Sequence, residues 1–147
     1  MSNQPKSKIV RLSAHDEVQN PKSKISPLPQ ANWQEYLLWL CRQRRAFKVV
    51  EASMRPTLNP GDKVFSVPIR DASKSRDLKR GDIVIAYHPS KPELRLIKRV
   101  QDVFYDGGCY LISDNTAEPT ARDSGSFGIV GRDLIVGRVT SVFYRAP

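Results

Sequence analysis

Apolar and polar positions alternate over short distances from Phe47 to the end of the chain, and this pattern predicts strands. The predicted strands cover residues 47–51, 63–68, 82–87, 95–105, 109–113, 129–130 and 133–143. Turn-forming residues separate them, and Asp106-Gly107-Gly108 is a strong hairpin signal. Short strands at this spacing favour a mostly β domain built on an antiparallel, partly closed sheet.

Before the strands, the pattern changes to helical spacing. A helix is predicted from Asn32, which can cap it, to about Arg45. Its apolar face has i, i+3, i+4, i+7 spacing and consists of Trp33, Tyr36, Leu37 and Leu40. We expect this face to pack on the β domain, and the alternative is that it rests on a membrane interface.

Residues 1–30 have a different composition, rich in Ser, Pro, Lys, Asn and Gln and poor in large apolar side chains. Such a segment cannot bury enough apolar surface to offset the entropy of ordering, so a disordered basic tail is predicted. The remainder, residues 31–147, is expected to form one domain.

Charge and composition narrow the function classes. The chain of 147 residues carries a net charge of +9, so an anionic partner has to be considered. No stretch approaches the roughly 20 apolar residues that a membrane-spanning helix needs, and residues 1–30 lack the apolar core of a signal peptide. We therefore expect a soluble, cytoplasmic protein. Cys41 and Cys109 are not spaced for a metal site, and no metal or cofactor is expected.

The first segment that could carry chemistry begins at Ser53, directly after a predicted strand. The turn that follows contains Pro56 and Gly61, and it could hold the serine hydroxyl at the end of a sheet. On physical grounds alone, a turn stiffened by proline is the favoured explanation of this segment.

The second segment places a lysine inside a strand. Because side chains alternate between faces, Leu96, Lys98 and Val100 share one face of the strand. Burial disfavours the ammonium form, and a general base must be a neutral amine to accept a proton from serine. The alternative is that Lys98 faces solvent at a strand edge while Ile97 faces the core.

A third segment follows, with Ser113-Asp114-Asn115 and Asp123-Ser124-Gly125. The earlier motifs are Ser53 to Leu58, Gly61-Asp62-Lys63-Val64, Gly81-Asp82-Ile83-Val84 and Lys98-Arg99-Val100. Taken in this order, the motifs resemble those of the type I signal peptidase superfamily over residues 49–138. The resemblance implies a mostly β fold and a serine endopeptidase with a Ser53/Lys98 dyad. It also implies that the Ser53 backbone N–H stabilises the oxyanion and that Met54 walls the apolar site around the lysine. Asp114 and Asp123 would support the loops behind the dyad.

The chain departs from the family pattern at several supporting positions. Ser113 replaces a glycine, and Gly125 replaces the arginine expected after Asp-Ser, so Asp123 lacks its usual partner unless Arg122 or Arg132 substitutes. The serine that helps to orient the lysine in the family is here Ala121, and Thr120 is the predicted replacement. These departures concern the supporting residues and leave the dyad intact.

Within the superfamily, a small domain without a membrane anchor resembles the nickel-type superoxide dismutase maturation proteases. The resemblance implies a single cut that removes an N-terminal propeptide from a protein precursor. Two alternatives remain: a self-cleaving repressor-type Ser/Lys domain, and a non-enzymatic basic module that binds nucleic acid. The predicted partner is a protein substrate rather than nucleic acid.

Overall fold

The computed structural model describes residues 26–70, 77–119 and 121–147. Its centre is a six-stranded antiparallel sheet in the order β1-β2-β6-β3-β4-β5. The strands are β1 (Arg45–Lys48), β2 (Lys63–Pro68), β3 (Ile83–His88), β4 (Lys91–Val103), β5 (Cys109–Ile112) and β6 (Ile135–Tyr144). The predicted mostly β architecture is confirmed, and the sheet is not closed, because β1 and β5 lie at opposite edges.

The predicted helix is real but shorter than expected. Helix α1 (Trp33–Leu40) begins after Asn32, whose side chain accepts a hydrogen bond from the Glu35 N–H. It ends because Arg42 adopts a φ of 60° and the chain turns into β1. The arginines predicted for the last helical turns therefore lie outside the helix.

The expected packing of the predicted apolar face is mostly wrong. Trp33 and Leu40 are 69% and 72% exposed, and no residue of α1 is buried. The helix instead contacts the sheet through Tyr36 and Trp39, whose rings lie 5.3 and 6.3 Å from the ring of Phe65.

Part of the predicted tail is attached to the sheet, while residues 1–25 lie outside the described part of the chain. The Val142 N–H donates to the carbonyl of Pro29, and the Ala31 N–H donates to the carbonyl of Val142. Leu28 packs against the core. The prediction of a disordered tail is thus wrong for residues 28–30.

Apolar residues cover both faces of the sheet, and alternation along β3 shows this directly. Ile83 and Ile85 point into one core, and Val84 and Ala86 point into the other. The first core also contains Val49, Met54, Leu58, Val64, Val139 and Val142. The second contains Leu78, Val100, Cys109, Leu111, Val130 and Ile135. A polar side chain in the middle of this sheet is therefore cut off from water.

Two glycine-aspartate turns lead into β2 and β3 with the same geometry. Gly61 and Gly81 have φ values of 94° and 96°, in the left-handed region that favours glycine. The carboxylates of Asp62 and Asp82 each accept a hydrogen bond from the N–H three residues earlier, at 3.0 and 2.9 Å. These turns fix the entry of both strands, as the two Gly-Asp motifs in the sequence suggest.

No helix in the described part of the chain is long and apolar enough to cross a membrane.

Candidate active site

Ser53 lies in the wall of a groove at one end of the sheet. It sits in a short 3-10 helix (Ala52–Met54) between β1 and β2, and only 3% of its surface is exposed. The groove has a volume of about 520 Å³. Its walls are residues 46–51 on one side and Leu94, Arg95 and Ile97 on the other, with Met54 and Ile85 beside Ser53. The serine side chain is thus positioned where an extended polypeptide could reach it.

Lys98 is buried in the middle of β4, with 1% of its surface exposed. It pairs with Val84 of the neighbouring strand and shares a face with the buried Leu96 and Val100, as alternation predicted. The solvent-facing alternative is wrong. Its Nζ donates a hydrogen bond of 2.9 Å to Ser113 Oγ, and it forms no salt bridge with any residue in the described ranges.

This environment changes the protonation of the amine. Burial lowers the pKa of Lys98 because the ammonium form loses its hydration, and the negative charges of Glu51, Asp123 and Asp114 oppose this only in part. Relative to the ammonium form, the neutral amine of Lys98 is thus more favoured in the folded protein than in water. A lysine base requires this property.

The segment after β5 connects the serine to the lysine. The Asn115 N–H donates to the carbonyl of Ser53 at 2.9 Å, and Asn115 Nδ2 donates to the carbonyl of Ala52 at 3.1 Å. Two residues earlier, Ser113 accepts the hydrogen bond from Lys98. The 3-10 helix also packs against β4. The three motifs of the sequence therefore meet at one place.

A buried ion pair braces the same region from the neighbouring position on β4. Arg99 Nε and an Nη each donate 2.7 Å hydrogen bonds to the two oxygens of Asp114. Thr57 Oγ1 donates to Asp114 Oδ2 at 2.6 Å, and Arg99 also donates to the carbonyl of Gly81 at 2.7 Å. This network ties the serine loop to the lysine strand and to the turn before β3.

The other predicted supporting residues have mixed positions. Met54 is buried in the first core cluster, directly after the serine. Asp123 caps helix α2 (Ser124–Phe127), where its carboxylate accepts from the Gly125 N–H at 3.0 Å. Among the described residues, neither Arg122 nor Arg132 forms a salt bridge with it. Thr120, predicted to orient the lysine, lies outside the described residues.

Two functional candidates were not predicted as such. Ser113 stood out in the sequence only as a departure from glycine, yet it is the residue that accepts the hydrogen bond from Lys98. Arg99 was noted as part of a motif, without its partner Asp114. The signal that could have identified Ser113 is that a serine replaces the family's glycine two residues before Asn115.

Comparison with known proteins finds similarity to peptidases. The family model described as signal peptidase, peptidase S26, matches residues 37–103, a stretch that contains both Ser53 and Lys98. The mitochondrial inner membrane protease subunit 2 of Schizosaccharomyces pombe is 30% identical over 113 residues, covering 63% of this chain. The chain spans 60% of the length of that relative. Both similarities support a peptidase.

Proposed function

We propose that this chain belongs to the signal peptidase family and is a serine endopeptidase, with Ser53 as nucleophile and Lys98 as general base. One observation carries the proposal: a fully buried lysine whose amine is held by a serine hydroxyl instead of a carboxylate. A lysine with a purely structural role would be expected to have a carboxylate partner when buried.

The proposed reaction has two stages. The Ser53 hydroxyl oxygen attacks the carbonyl carbon of the scissile peptide while Lys98 Nζ accepts the hydroxyl proton. Lys98 then passes that proton to the leaving amine as the carbon–nitrogen bond breaks, which leaves an acyl ester on Ser53. In the second stage Lys98 takes a proton from water, the resulting oxygen attacks the ester, and Ser53 regains its proton. The Ser53 backbone N–H is the proposed donor to the oxyanion, a contribution of about 2.7–4 kcal/mol per donor in other enzymes.

Ser113 is the proposed positioning residue for the base. A neutral amine has two N–H groups and one lone pair. When one N–H donates to Ser113 Oγ, rotation about the last bond of the side chain is restricted, and this would help to keep the lone pair directed at Ser53 in the proposed dyad. Ser113 then takes the role that the family resemblance placed at Ala121 or Thr120.

The groove beside Ser53 fits an extended substrate segment. β1 forms one edge of the sheet, and residues 94–97 of β4 lie beyond the part of that strand that pairs with β5. Backbone groups are thus available on both walls to bind a peptide as an added strand. Val50 and Leu94 are exposed at this groove and give it an apolar character.

The narrower proposal is a single processing cut that removes an N-terminal propeptide, with a nickel superoxide dismutase precursor as the substrate. This substrate is taken from the resemblance of the small domain to the nickel-type superoxide dismutase maturation proteases, and no residue of the chain identifies it. It can be tested separately from the chemistry.

The first experiment incubates the purified chain with a nickel superoxide dismutase precursor and, in parallel, with a proteome-derived peptide library, and follows intact masses. Ser53→Ala and Lys98→Ala variants are compared with Ser90→Ala, which changes an exposed serine outside the groove. Cleavage lost in the first two variants and kept in the third is expected. Cleavage of library peptides but not of the precursor would overturn only the substrate assignment. Cleavage that persists in Ser53→Ala would overturn the dyad.

A further inference from the structure

A second groove, next to the one at Ser53, is lined by arginines. It has a volume of about 820 Å³ and lies between the end of α1, β1 and the outer part of β3 and β4. We call it the arginine groove, after Arg42, Arg44, Arg45, Arg70 and Arg95 in its walls. Aromatic side chains of Trp39, Phe47 and Tyr87 also line it.

Most of the positive charge in this groove is not compensated within the described chain. Arg44 pairs with Glu35 at 2.9 Å, and the other four arginines form no salt bridge with a described residue. None of the described residues that line the groove is acidic. Four guanidinium groups facing one concave surface repel each other, and a bound anion would relieve that repulsion.

One of these arginines is already held in place. The Arg95 guanidinium lies 5.9 Å from the ring centre of Phe47 and 5.7 Å from that of Tyr87. Stacking on aromatic rings restricts the side chain and leaves its N–H groups free to donate in the ring plane. A guanidinium fixed in this way can bind a carboxylate through two parallel hydrogen bonds.

The arginine groove is continuous with the groove that contains Ser53. Ala46, Phe47 and Arg95 line both. A polypeptide that lies beside Ser53 would enter the arginine groove when it continues past Phe47. Because this groove shares its walls with the proposed peptidase groove, a substrate polypeptide is the occupant that we favour over a nucleic acid.

We propose that the arginine groove is a specificity site that binds an acidic segment of the polypeptide substrate, on one side of the scissile bond. This inference rests on the proposed peptidase function, because the bound polypeptide is a substrate only if the chain is a peptidase. The binding of an acidic polypeptide can be measured without cleavage.

The test uses fluorescein-labelled hexaglutamate and hexaglutamine peptides and the full chain, with fluorescence anisotropy at low and at physiological salt. Hexaglutamate is expected to bind more tightly. The double variant Arg45→Gln/Arg70→Gln is expected to weaken hexaglutamate binding by about two- to thirtyfold, since each exposed ion pair contributes modestly. The double variant Arg80→Gln/Arg132→Gln, which removes two exposed arginines outside the groove, is the matched control and is expected to leave binding nearly unchanged.

Three results would overturn the inference. Equal binding of the two peptides would show that charge is not recognised. An equal loss in Arg80→Gln/Arg132→Gln would show that only net charge matters. Tighter binding of a single-stranded oligothymidine that displaces hexaglutamate at physiological salt would identify a nucleic-acid site instead.

Library cleavage completes the test and separates this inference from the proposed function. Peptides cleaved by the wild-type chain should be enriched in Asp and Glu on one side of the cut, and the Arg45→Gln/Arg70→Gln variant should lose that enrichment while still cleaving. Site-specific hexaglutamate binding without any cleavage would remove the peptidase proposal alone. Cleavage with no acidic enrichment would remove the specificity site alone.

Discussion

Replacing Lys98 by methionine tests whether the buried amine serves chemistry or stability. Methionine keeps an unbranched side chain of similar length, so the apolar packing between Leu96 and Val100 is retained. The substitution removes the hydrogen bond to Ser113 Oγ, which is worth about 1 kcal/mol net. It also removes the cost of burying the amine, about 1–3 kcal/mol on the scale of protein mutational data. The free energy of unfolding at pH 7 is therefore expected to stay constant or to rise by up to about 2 kcal/mol.

The difference in stability between the methionine variant and the wild-type chain should depend on pH, and the pKa of Lys98 determines the direction of that change. The pKa of Lys98 is lowered in the folded state by burial, so between this lowered pKa and the unfolded pKa of about 10.4 the unfolded chain binds a proton that the folded chain does not. The contribution of Lys98 to stability is complete above pH 10.4 and is lost as the pH falls toward the lowered folded pKa, by up to about 1.4 kcal/mol per pH unit. The methionine variant lacks this term, so its advantage over the wild-type chain should be larger at pH 7 than at pH 10.5.

Urea unfolding of both chains at pH 7 and at pH 10.5 measures this difference, and cleavage assays on the same samples measure the chemistry. Loss of the general base is expected to reduce kcat by about 10²–10⁴-fold or more while the fold persists. The wild-type kcat/KM should rise with pH through an apparent pKa below 10.4, as Lys98 becomes neutral. A variant destabilised by more than about 2 kcal/mol at pH 7, with no change in this difference at pH 10.5, would refute the reasoning. Lys98 would then be charged and stabilising in the folded state.

Three further predictions concern the residues that support the dyad and the glycine turns. Ser113→Ala should lower kcat by about tenfold or more, since positioned proton transfer contributes about 10²–10⁴-fold in total. It should also shift the apparent pKa of the pH–rate profile. Ser113→Thr keeps a hydroxyl at this position and should restore much of the rate. Arg99→Met leaves the Asp114 carboxylate buried without its partner and should cost about 3–5 kcal/mol in urea unfolding. Gly61→Ala should cost more than Gly81→Ala in thermal unfolding. Both glycines have positive φ, but only at Gly61 would the added methyl meet a neighbouring carbon, at 2.8 Å.

Much of the fold follows from local pattern, because alternation and turn chemistry act over a few residues. The strand Lys63–Pro68 was predicted with its observed bounds, and the glycine turn before it explains why. Helix α1 was predicted too long at its C-terminal end. The chain turns at Arg42, and Arg45 already pairs with β2, so pairing between distant segments overrides the local helical preference there.

The apolar face of α1 was misjudged for a related reason. Helical spacing identifies which residues share a side, but it does not say which side meets the sheet. Glu35 bonds to Arg44 and to Thr140, and these polar contacts, together with Tyr36 on Phe65, set the rotation of the helix. Trp33 and Leu40 consequently face away from the core.

For the candidate site, the sequence was more informative about the candidate residues than about the groups to which they form hydrogen bonds. Alternation along β4 correctly placed Lys98 with Leu96 and Val100. The acceptor of its hydrogen bond, Ser113, comes from the end of another strand, and only the register between β4 and β5 brings the two together. No local rule contains that register, so the partner could not be inferred.

Lys98 and Arg99 are adjacent on one strand, and the contrast between them is the strongest internal argument about the site. Both are buried, yet Arg99 has a carboxylate on two of its nitrogens, whereas Lys98 has only a hydroxyl. The same loop supplies both partners, Asp114 for the arginine and Ser113 for the lysine. Because an aspartate so close by pairs with the arginine, the lysine keeps an environment in which its neutral form is favoured. If both cations were purely structural, each would be expected to have a carboxylate partner, so the unequal pairing supports the proposed role of Lys98 as a base.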